Sequence, residues 1–170
     1  LHDALPILTP WPETDYRAWY LGDWASPDGI DDTNRESIDL VANTYLVVCL
    51  ETMEKIAMVL GHDEDAAGFR TRKDKLVKLV QQNFYHEDAG IYADGDQIEL
   101  AFPLIAGIVP EALRERVTGS LKRNISERNN GHLAAGLVGI PVMTEWATTS
   151  GSADLMYSML KKRDYPGYLY

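Results

Sequence analysis

The chain has 170 residues, of which 45% are hydrophobic and 25% are charged, and its formal net charge is −10. This composition is typical of a globular domain rather than a disordered segment, and its acidity argues against a nucleic-acid partner or an anionic membrane surface. Cys49 is the single cysteine, which excludes an internal disulfide and a cysteine-based zinc cluster. Because Cys49 lies in an apolar helical run, we expect it to be buried and inert.

The start of the chain carries little information. Residues 1–15 show no clear period, and we interpret them as an irregular N-terminal segment, for which a sequence artefact is one explanation. Residues 1–8 are too short and lack the basic start of a signal peptide, and no apolar run is long enough to span a bilayer. Localisation, cytoplasmic or secreted, therefore stays open. The folded domain is expected to begin at residue 16.

The first loop, "YLGDWASPDG" over residues 20–29, places Asp23 beside Trp24. A sugar site needs a flat aromatic face for the C–H side of a pyranose and a carboxylate for its hydroxyls, and these two residues supply both. The alternative is that Trp24 fills the core under the loop while Asp23 caps a turn. Three further carboxylates crowd the loop and could raise one another's pKa as in glycosidases, although we favour turn and cap roles for them. They are Asp28, Asp31 and Asp32.

Two long helices follow the loop. Thr33 and Glu36 have the spacing of a capping box ahead of the first helix, Gly61 is suited to end it, and Asp63 is suited to cap the second. Apolar residues at steps of three or four predict one buried face on each helix. On the first helix these are Ile38, Val41, Tyr45, Val48, Ile56 and Leu60, with Thr52 in the same row, and on the second Ala66, Phe69, Leu76, Val80 and Phe84, with Lys73 filling the gap.

The rest of the chain predicts four shorter helices. They cover roughly residues 99–107, a segment starting at Pro110, a segment starting at Pro141, and a last helix capped by Ser152. No strand alternation is visible. About six helices joined by short turns predict an all-α fold of antiparallel helical hairpins. Outer helices are amphipathic and the inner one near residues 100–109 is apolar all round, which suggests part of an α/α toroid.

Other polar clusters favour ordinary roles. The carboxylates of residues 88–99 do not have the spacing of a calcium loop, so we interpret them as a solvated turn. His132 stands alone and is expected to bond to nearby backbone. No two histidines have metal spacing, so neither a metal site nor a cofactor is predicted. Four aromatics are expected to pack in the core, although they could line a groove. They are Tyr16, Trp19, Tyr20 and Trp146.

Taken in order, several segments resemble the catalytic domain of bacterial α-L-rhamnosidases. "YLGDWASPDG" resembles the GDW loop of that family, and "DTNRESIDLVANTYLVVCLETMEKIAMVLGHDEDAAGFR" resembles the hairpin after it. "ADGDQIELAFPLIAGIVPEALRERV", "GHLAAGLVGIPVMTEW" and "ADLMYSMLKKRDYPGYLY" resemble the segments that follow. The resemblance covers residues 16–170. Ile98 and Ile140 depart from it, since threonine is usual at both positions.

The resemblance implies a partial (α/α)6 toroid that hydrolyses terminal α-L-rhamnosyl units with inversion and without a metal. The family's general acid lies upstream of the GDW loop and its general base downstream of the "DYP" segment, so it implies no catalytic residue within this chain. The residues carried over bind substrate: Trp24 stacks on the sugar, Asp23 accepts a hydroxyl, and His132 lies near the site. A rhamnose-containing glycoside and the remainder of the parent domain are the implied partners, and the fragment alone is expected to be inactive.

Two other functions stay open. One is a different six-hairpin glycosidase or lyase that acts on another sugar. The other is a non-catalytic helical scaffold that binds a protein, in which Trp24 is buried. Half a toroid leaves apolar inner helices uncovered, so we expect the isolated chain to be marginally stable or to associate.

Overall fold

The computed structural model describes residues 22–27 and 35–170, and its helices pair along the chain as three hairpins. The first hairpin is α1 (Arg35–Val59) with α2 (Asp63–Phe84), the second is α3 (Gln97–Ile105) with α4 (Glu111–Arg123), and the third is α5 (Gly139–Thr149) with α6 (Ala153–Leu160). One turn of π-helix, Asn124–Arg128, extends α4. The prediction of an all-α fold of helical hairpins is confirmed.

The connection between the first two hairpins contains a short ribbon that the sequence did not predict. Strands β1 (Tyr85–His86) and β2 (Ile91–Tyr92) pair antiparallel, with Tyr85 opposite Tyr92. Each strand has only two residues, which is too few for an alternating pattern, so the periodicity of the sequence could not reveal these strands.

The predicted buried face of α2 is confirmed except that Phe69 is half-buried, whereas only part of the face predicted for α1 is buried. Ile38 and Val41 are buried, but Tyr45, Ile56 and Leu60 are 46–65% exposed. The core face of α1 includes instead a neighbouring row of side chains. That row contains Leu40, Val47, Glu54 and Ala57. Because α1 has apolar residues on several faces, its sequence alone does not show which face is buried. The positions of α2 and α3, which pack against it, determine that face.

Two further details of the first hairpin differ from expectation. Cys49 is exposed rather than buried, because it lies on the part of α1 that no described element covers. Asp63 does not cap α2: it is the first residue of the helix, and His62 precedes it without a side-chain capping hydrogen bond. Asp63 still lies in the first helical turn, where a negative charge suits the helix dipole.

Helix α3 occupies the centre of the described structure. It packs against α1, α4 and α5, and every residue from Gln97 to Leu104 is buried. The prediction that the apolar segment near residues 100–109 forms an inner helix is confirmed for α3. Its neighbours α1 and α5 are the first members of their own hairpins, so α1, α3 and α5 form an inner layer, with α2, α4 and α6 as their hairpin partners.

The N-terminal ends of the three inner helices lie on one face. Gly22 packs against Ile38 in the first turn of α1, since a Cβ added to Gly22 would lie 3.5–3.7 Å from that residue. The Gln97 side chain, at the start of α3, reaches the segment that leads into α5. Several predictions concern residues outside the described part of the chain. These are the start of the domain at residue 16, the Thr33 cap, the aromatics at 16–20 and the carboxylates at 28–32.

Candidate functional site

Asp23 joins the first loop to the beginning of α5. Its Oδ2 accepts the backbone N–H of Gly136 at 2.7 Å, and its Oδ1 accepts those of Val138 at 3.1 Å and Gly139 at 2.6 Å. The N–H groups in the first turn of a helix have no partner within the helix, and a carboxylate satisfies them well because it also suits the helix dipole. Burial raises the pKa of Asp23, and the three N–H groups act in the opposite direction.

A backbone contact extends this joint to Trp24. The N–H of Leu137 donates to the carbonyl oxygen of Trp24 at 2.7 Å. Four successive backbone N–H groups, those of residues 136–139, therefore face residues 23 and 24. We call residues 23–24 and 136–139 together the joint. Ala25, directly after it, adopts a φ of 63°, a left-handed conformation that costs a residue other than glycine about 1 kcal/mol. The joint thus holds a turn that the chain would not adopt alone.

Two glycines make this close approach possible. A Cβ on Gly136 would lie 2.2 Å from the carbonyl oxygen of Trp24, and one on Gly139 would lie 2.3 Å from Asp23 Oδ2. Both distances are far below van der Waals contact. The packing role of Gly136 and Gly139 could not be recognised from the sequence, because it depends on which residues lie against them.

Trp24 and Leu137 are the two large apolar side chains that the joint leaves accessible, with 44% and 58% of their surface exposed. The alternative in which Trp24 fills the core does not fit this exposure. Trp146, in contrast, is 2% exposed and packs in the core, as its default interpretation predicted. A half-exposed indole on a rigidly held loop can stack on the apolar face of a ligand.

The Gln97 side chain is hydrogen-bonded to the segment that precedes α5. The sequence did not predict it as a site residue. Its Nε2 donates to the carbonyl oxygen of His132 at 2.9 Å, and its Oε1 accepts the N–H of Ala134 at 3.1 Å. The side chain is fully buried, so both polar atoms are satisfied only by this segment. The one signal in the sequence was its polarity at the head of an otherwise apolar helix.

His132 is buried and supports the last loop of the chain. Its Nδ1 lies 2.9 Å from the carbonyl oxygen of Asn129, and its Nε2 lies 3.3 Å from both the carbonyl oxygen and Oδ1 of Asp164. The expectation that this histidine bonds to nearby backbone is confirmed. The pKa of Asp164 is lowered by its own backbone N–H and, to a smaller extent, by the charges of His132 and Lys162.

Glu99 is a fully buried carboxyl group in the first turn of α3. Its Oε2 accepts the backbone N–H of Asp96 at 2.9 Å, which is one half of a capping box. Burial raises the pKa of Glu99 to about 7, against the opposing hydrogen bonds of the Ser37 side chain and the Asp96 backbone. A raised pKa is what a general acid needs, but this carboxyl has no exposed surface with which to meet a substrate.

The acidic connection before α3 serves ion pairing and capping. Asp96 pairs with Arg128 at 2.9 Å and forms the capping box with Glu99. Across residues 22–27 and 35–170, no three histidine, cysteine or carboxylate side chains are grouped closely enough to hold a metal ion. In the same part of the chain, no helix has the length and apolar character needed to cross a membrane.

The described residues of this face offer an exposed indole and a loop that is hydrogen-bonded to the start of α5. Asp23 and Trp24 lie together at the joint, as their adjacency in sequence requires. His132 lies in the segment that leads into α5, beneath the surface. The Asp23 carboxylate is occupied by three backbone donors, which supports the turn-capping alternative. That it also accepts a sugar hydroxyl stays a prediction.

Comparison with known proteins gives consistent results. The family model for the bacterial α-L-rhamnosidase six-hairpin glycosidase domain matches residues 8–170. An α-L-rhamnosidase of Formosa agariphila is 26% identical over 152 residues, which cover 88% of this chain and 16% of that protein. A solved α-L-rhamnosidase from Dictyoglumus thermophilum superimposes with a TM-score of 0.81 at 27% identity, covering 88% of this chain and 17% of that one.

A third comparison supports the fold alone. The structure of Streptomyces avermitilis α-L-rhamnosidase complexed with L-rhamnose has a TM-score of 0.77 at 24% identity, with 99% of this chain and 15% of that chain covered. The chain spans about one sixth of the length of the curated relatives that it matches. On the match over residues 8–170, the chain belongs to the family of bacterial α-L-rhamnosidase six-hairpin glycosidase domains.

Proposed function

We propose that this chain is part of a glycoside hydrolase that removes terminal α-L-rhamnosyl residues with inversion, and that it supplies part of the sugar-binding surface. The observation that carries the proposal is the half-exposed Trp24 on the face where the inner helices begin. In this proposal the indole stacks on the C–H side of the rhamnosyl ring, and His132 supports the surface from beneath.

Bond cleavage is assigned to residues outside this chain. Inversion needs two carboxyl groups far enough apart to admit a water molecule. Among the residues described, Asp23 is engaged by three N–H groups and Glu99 has no exposed surface. We therefore propose that both catalytic carboxylates come from other parts of a longer enzyme. The length of the curated relatives, of which this chain spans about one sixth, supports this view.

We further propose that the remainder of that enzyme covers the apolar inner layer. A groove of about 370 Å³ runs between α1, α3 and α5, and its walls include Tyr45, Phe102 and Val142. Tyr45 is 52% exposed there although its ring contacts Phe102 edge to face at a centroid distance of 5.3 Å. Three hairpins are half of a six-hairpin domain, so three more would close the ring over this groove.

The test is to express the full reading frame that contains this chain and to assay it on aryl α-L-rhamnoside and on a panel of other aryl glycosides. We expect rhamnoside to be hydrolysed preferentially, with β-L-rhamnose as the first anomer seen by NMR. Trp24→Ala should raise KM, whereas Tyr157→Ala, at a more exposed aromatic on α6, should not. Hydrolysis of another sugar alone, or α-L-rhamnose as the first product, would overturn the proposal.

A further inference from the structure

The uncovered side of the inner layer carries one charge that no described residue balances. We propose that an apolar helical segment of the same enzyme, outside these 170 residues, covers the groove between α1, α3 and α5 and brings a lysine or arginine to the carboxylate of Glu145. This inference rests on the proposed function, since it names the chemistry of the element that closes the ring over the groove.

The exposed face of α5 is less polar than its sequence suggests. Thr144, Thr148 and Thr149 are exposed, but each hydroxyl donates to the carbonyl oxygen four residues earlier in the helix, at 2.8 Å. A hydroxyl that donates to its own helix needs no acceptor elsewhere. A segment that packs on this face therefore does not have to supply acceptors for the threonines.

The walls of the groove on α1 and α3 are also suited to an apolar neighbour. Tyr45 and Phe102 line it with their rings in edge-to-face contact, and the Thr52 hydroxyl again donates to the carbonyl oxygen four residues earlier, at 2.8 Å. Glu51 and Lys55 lie in the same wall, but they form an ion pair with each other at 2.7 Å. Since their charges cancel, this pair requires no charge from outside.

Glu145 is the remaining charged residue among those that line the groove. It is exposed, and its carboxylate has no ion-pair or hydrogen-bond partner among the described residues. Arg114 lines a second cavity with it, of about 210 Å³. That guanidinium instead donates to the carbonyl oxygen of Leu104 at 3.3 Å and lies 3.8 Å from Glu111. The Glu145 carboxylate is thus unpaired beside an otherwise neutral groove.

Covering the groove would remove water from this carboxylate. Burial of an unpaired charge is strongly unfavourable, whereas a cation placed opposite it offsets much of the cost. The chain spans about one sixth of the length of the curated relatives that it matches, so most of such an enzyme lies outside it and can supply the cation. A second copy of this chain is a poorer partner for a carboxylate, because its formal net charge is −10.

The experiment compares unfolding of the full enzyme with that of Glu145→Gln, which keeps the size of the side chain and removes its charge. If a cation faces Glu145, the variant leaves that cation buried without a partner. The rate of unfolding at elevated temperature, measured as loss of the helical circular dichroism signal, should then rise at least about tenfold. Glu115→Gln is the matched control. Glu115 is exposed on the outer helix α4 and has no partner among the described residues, so this variant should unfold like the wild type.

The direction of the effect separates the alternatives. Slower unfolding of Glu145→Gln than of the wild type would mean that the groove is covered without a cation, because the neutral amide would then replace an unpaired charge. An unchanged rate would mean that Glu145 stays in water. Either result would overturn the inference.

Glu145→Lys tests where the cation comes from. It should unfold faster than Glu145→Gln, because it places two like charges together, and sedimentation velocity should show the same oligomeric state as the wild type. Dissociation of an oligomer by Glu145→Lys would place the cation on a second copy and would contradict the inference, as would unfolding no faster than that of Glu145→Gln. None of these measurements uses hydrolysis. Failure of the full enzyme to cleave rhamnoside would therefore count against the proposed function, separately from the outcome at Glu145.

Discussion

The carboxylate of Asp23 accepts the backbone N–H of Gly139 at 2.6 Å, although 116 residues separate the two in sequence. This bond places a loop near the start of the chain against the first turn of the third inner helix. Gly139 is required because a Cβ there would lie 2.3 Å from Asp23 Oδ2. The two residues thus depend on each other: the acid caps the helix, and the glycine leaves room for the acid.

Gly136→Ala should lower the free energy of unfolding by about 2–3 kcal/mol. The added Cβ would lie 2.2 Å from the carbonyl oxygen of Trp24 and 2.8 Å from the backbone nitrogen of Ser26. Because these are backbone atoms, no side-chain rotation relieves the overlap, and the loop must move away. Urea unfolding monitored by circular dichroism measures the change.

Gly68→Ala is the control for this substitution. Gly68 is exposed within α2, and nothing lies within 4 Å of a Cβ at that position. Alanine should stabilise the helix by about 0.5–1 kcal/mol, because glycine loses more backbone entropy on folding. Equal effects of the two substitutions would contradict the packing described for the joint.

Gln97→Glu should destabilise the protein by about 3 kcal/mol, although the two side chains are nearly the same size. The carboxylate keeps an acceptor for the N–H of Ala134, but it places an oxygen against the carbonyl oxygen of His132. Gln82→Glu, at an exposed position of α2, should be close to neutral. Similar loss of stability in both variants would show that the buried bridge is not the cause.

Glu99 should make stability fall as the pH rises. Its pKa is raised from 4.5 to about 7 in the folded protein, so the folded state binds more protons than the unfolded state between these values. The stability contributed by the neutral carboxyl is fully present below pH 4.5 and is lost as the pH rises through 7. A shift of this size corresponds to roughly 3 kcal/mol.

Glu99→Gln should abolish this part of the pH dependence, since the amide does not titrate. Urea unfolding of both proteins at several pH values between 4 and 8 gives the slopes to be compared. As the pH rises, the free energy of unfolding of the wild type should fall relative to that of Glu99→Gln. A constant difference across this range would contradict the raised pKa.

Glu54 should have the opposite pH dependence. Its carboxylate accepts hydrogen bonds from Nε of Arg70 at 2.7 Å and from Nζ of Lys73 at 2.9 Å, both across the α1–α2 hairpin. The Lys73 hydrogen bond, followed by that of Arg70, holds the pKa of Glu54 below its usual value. Its contribution is therefore present above pH 4.5 and is lost as the pH falls through the lowered pKa.

Thermal unfolding of Glu54→Gln should show a lower Tm than the wild type at pH 7, and the difference should shrink in acid. Glu51→Gln is the matched control on the same helix. Glu51 pairs with Lys55 at 2.7 Å, but both side chains are well exposed, and such pairs contribute little. A larger effect at Glu51 than at Glu54 would contradict the cross-hairpin role.

Local patterns in the sequence predicted the helices well. The steps of three and four in α2, from Ala66 to Phe84, predicted its buried face. The apolar run after Gln97 predicted an inner helix. These features depend on neighbours in sequence, because helix periodicity and capping are local properties. Motifs such as "GDW" and "GHL" carried the family resemblance for the same reason, since they can be read without knowing the fold.

Contacts between distant segments needed the tertiary structure. The buried face of α1, the exposure of Cys49 and the two bonds of Gln97 all depend on which element lies opposite. Composition and periodicity do not contain that information.

Asp23 and Trp24 show most clearly which features the sequence determines and which need the tertiary structure. The sequence alone determined that an acid and an indole stand together on a loop before a helix, and it left open which of them faces a ligand. The tertiary structure decided that the acid points to Gly136, Val138 and Gly139 while the indole stays half exposed. The physical reason is that the free N–H groups at the start of α5 need an acceptor, and only folding brings Asp23 to them.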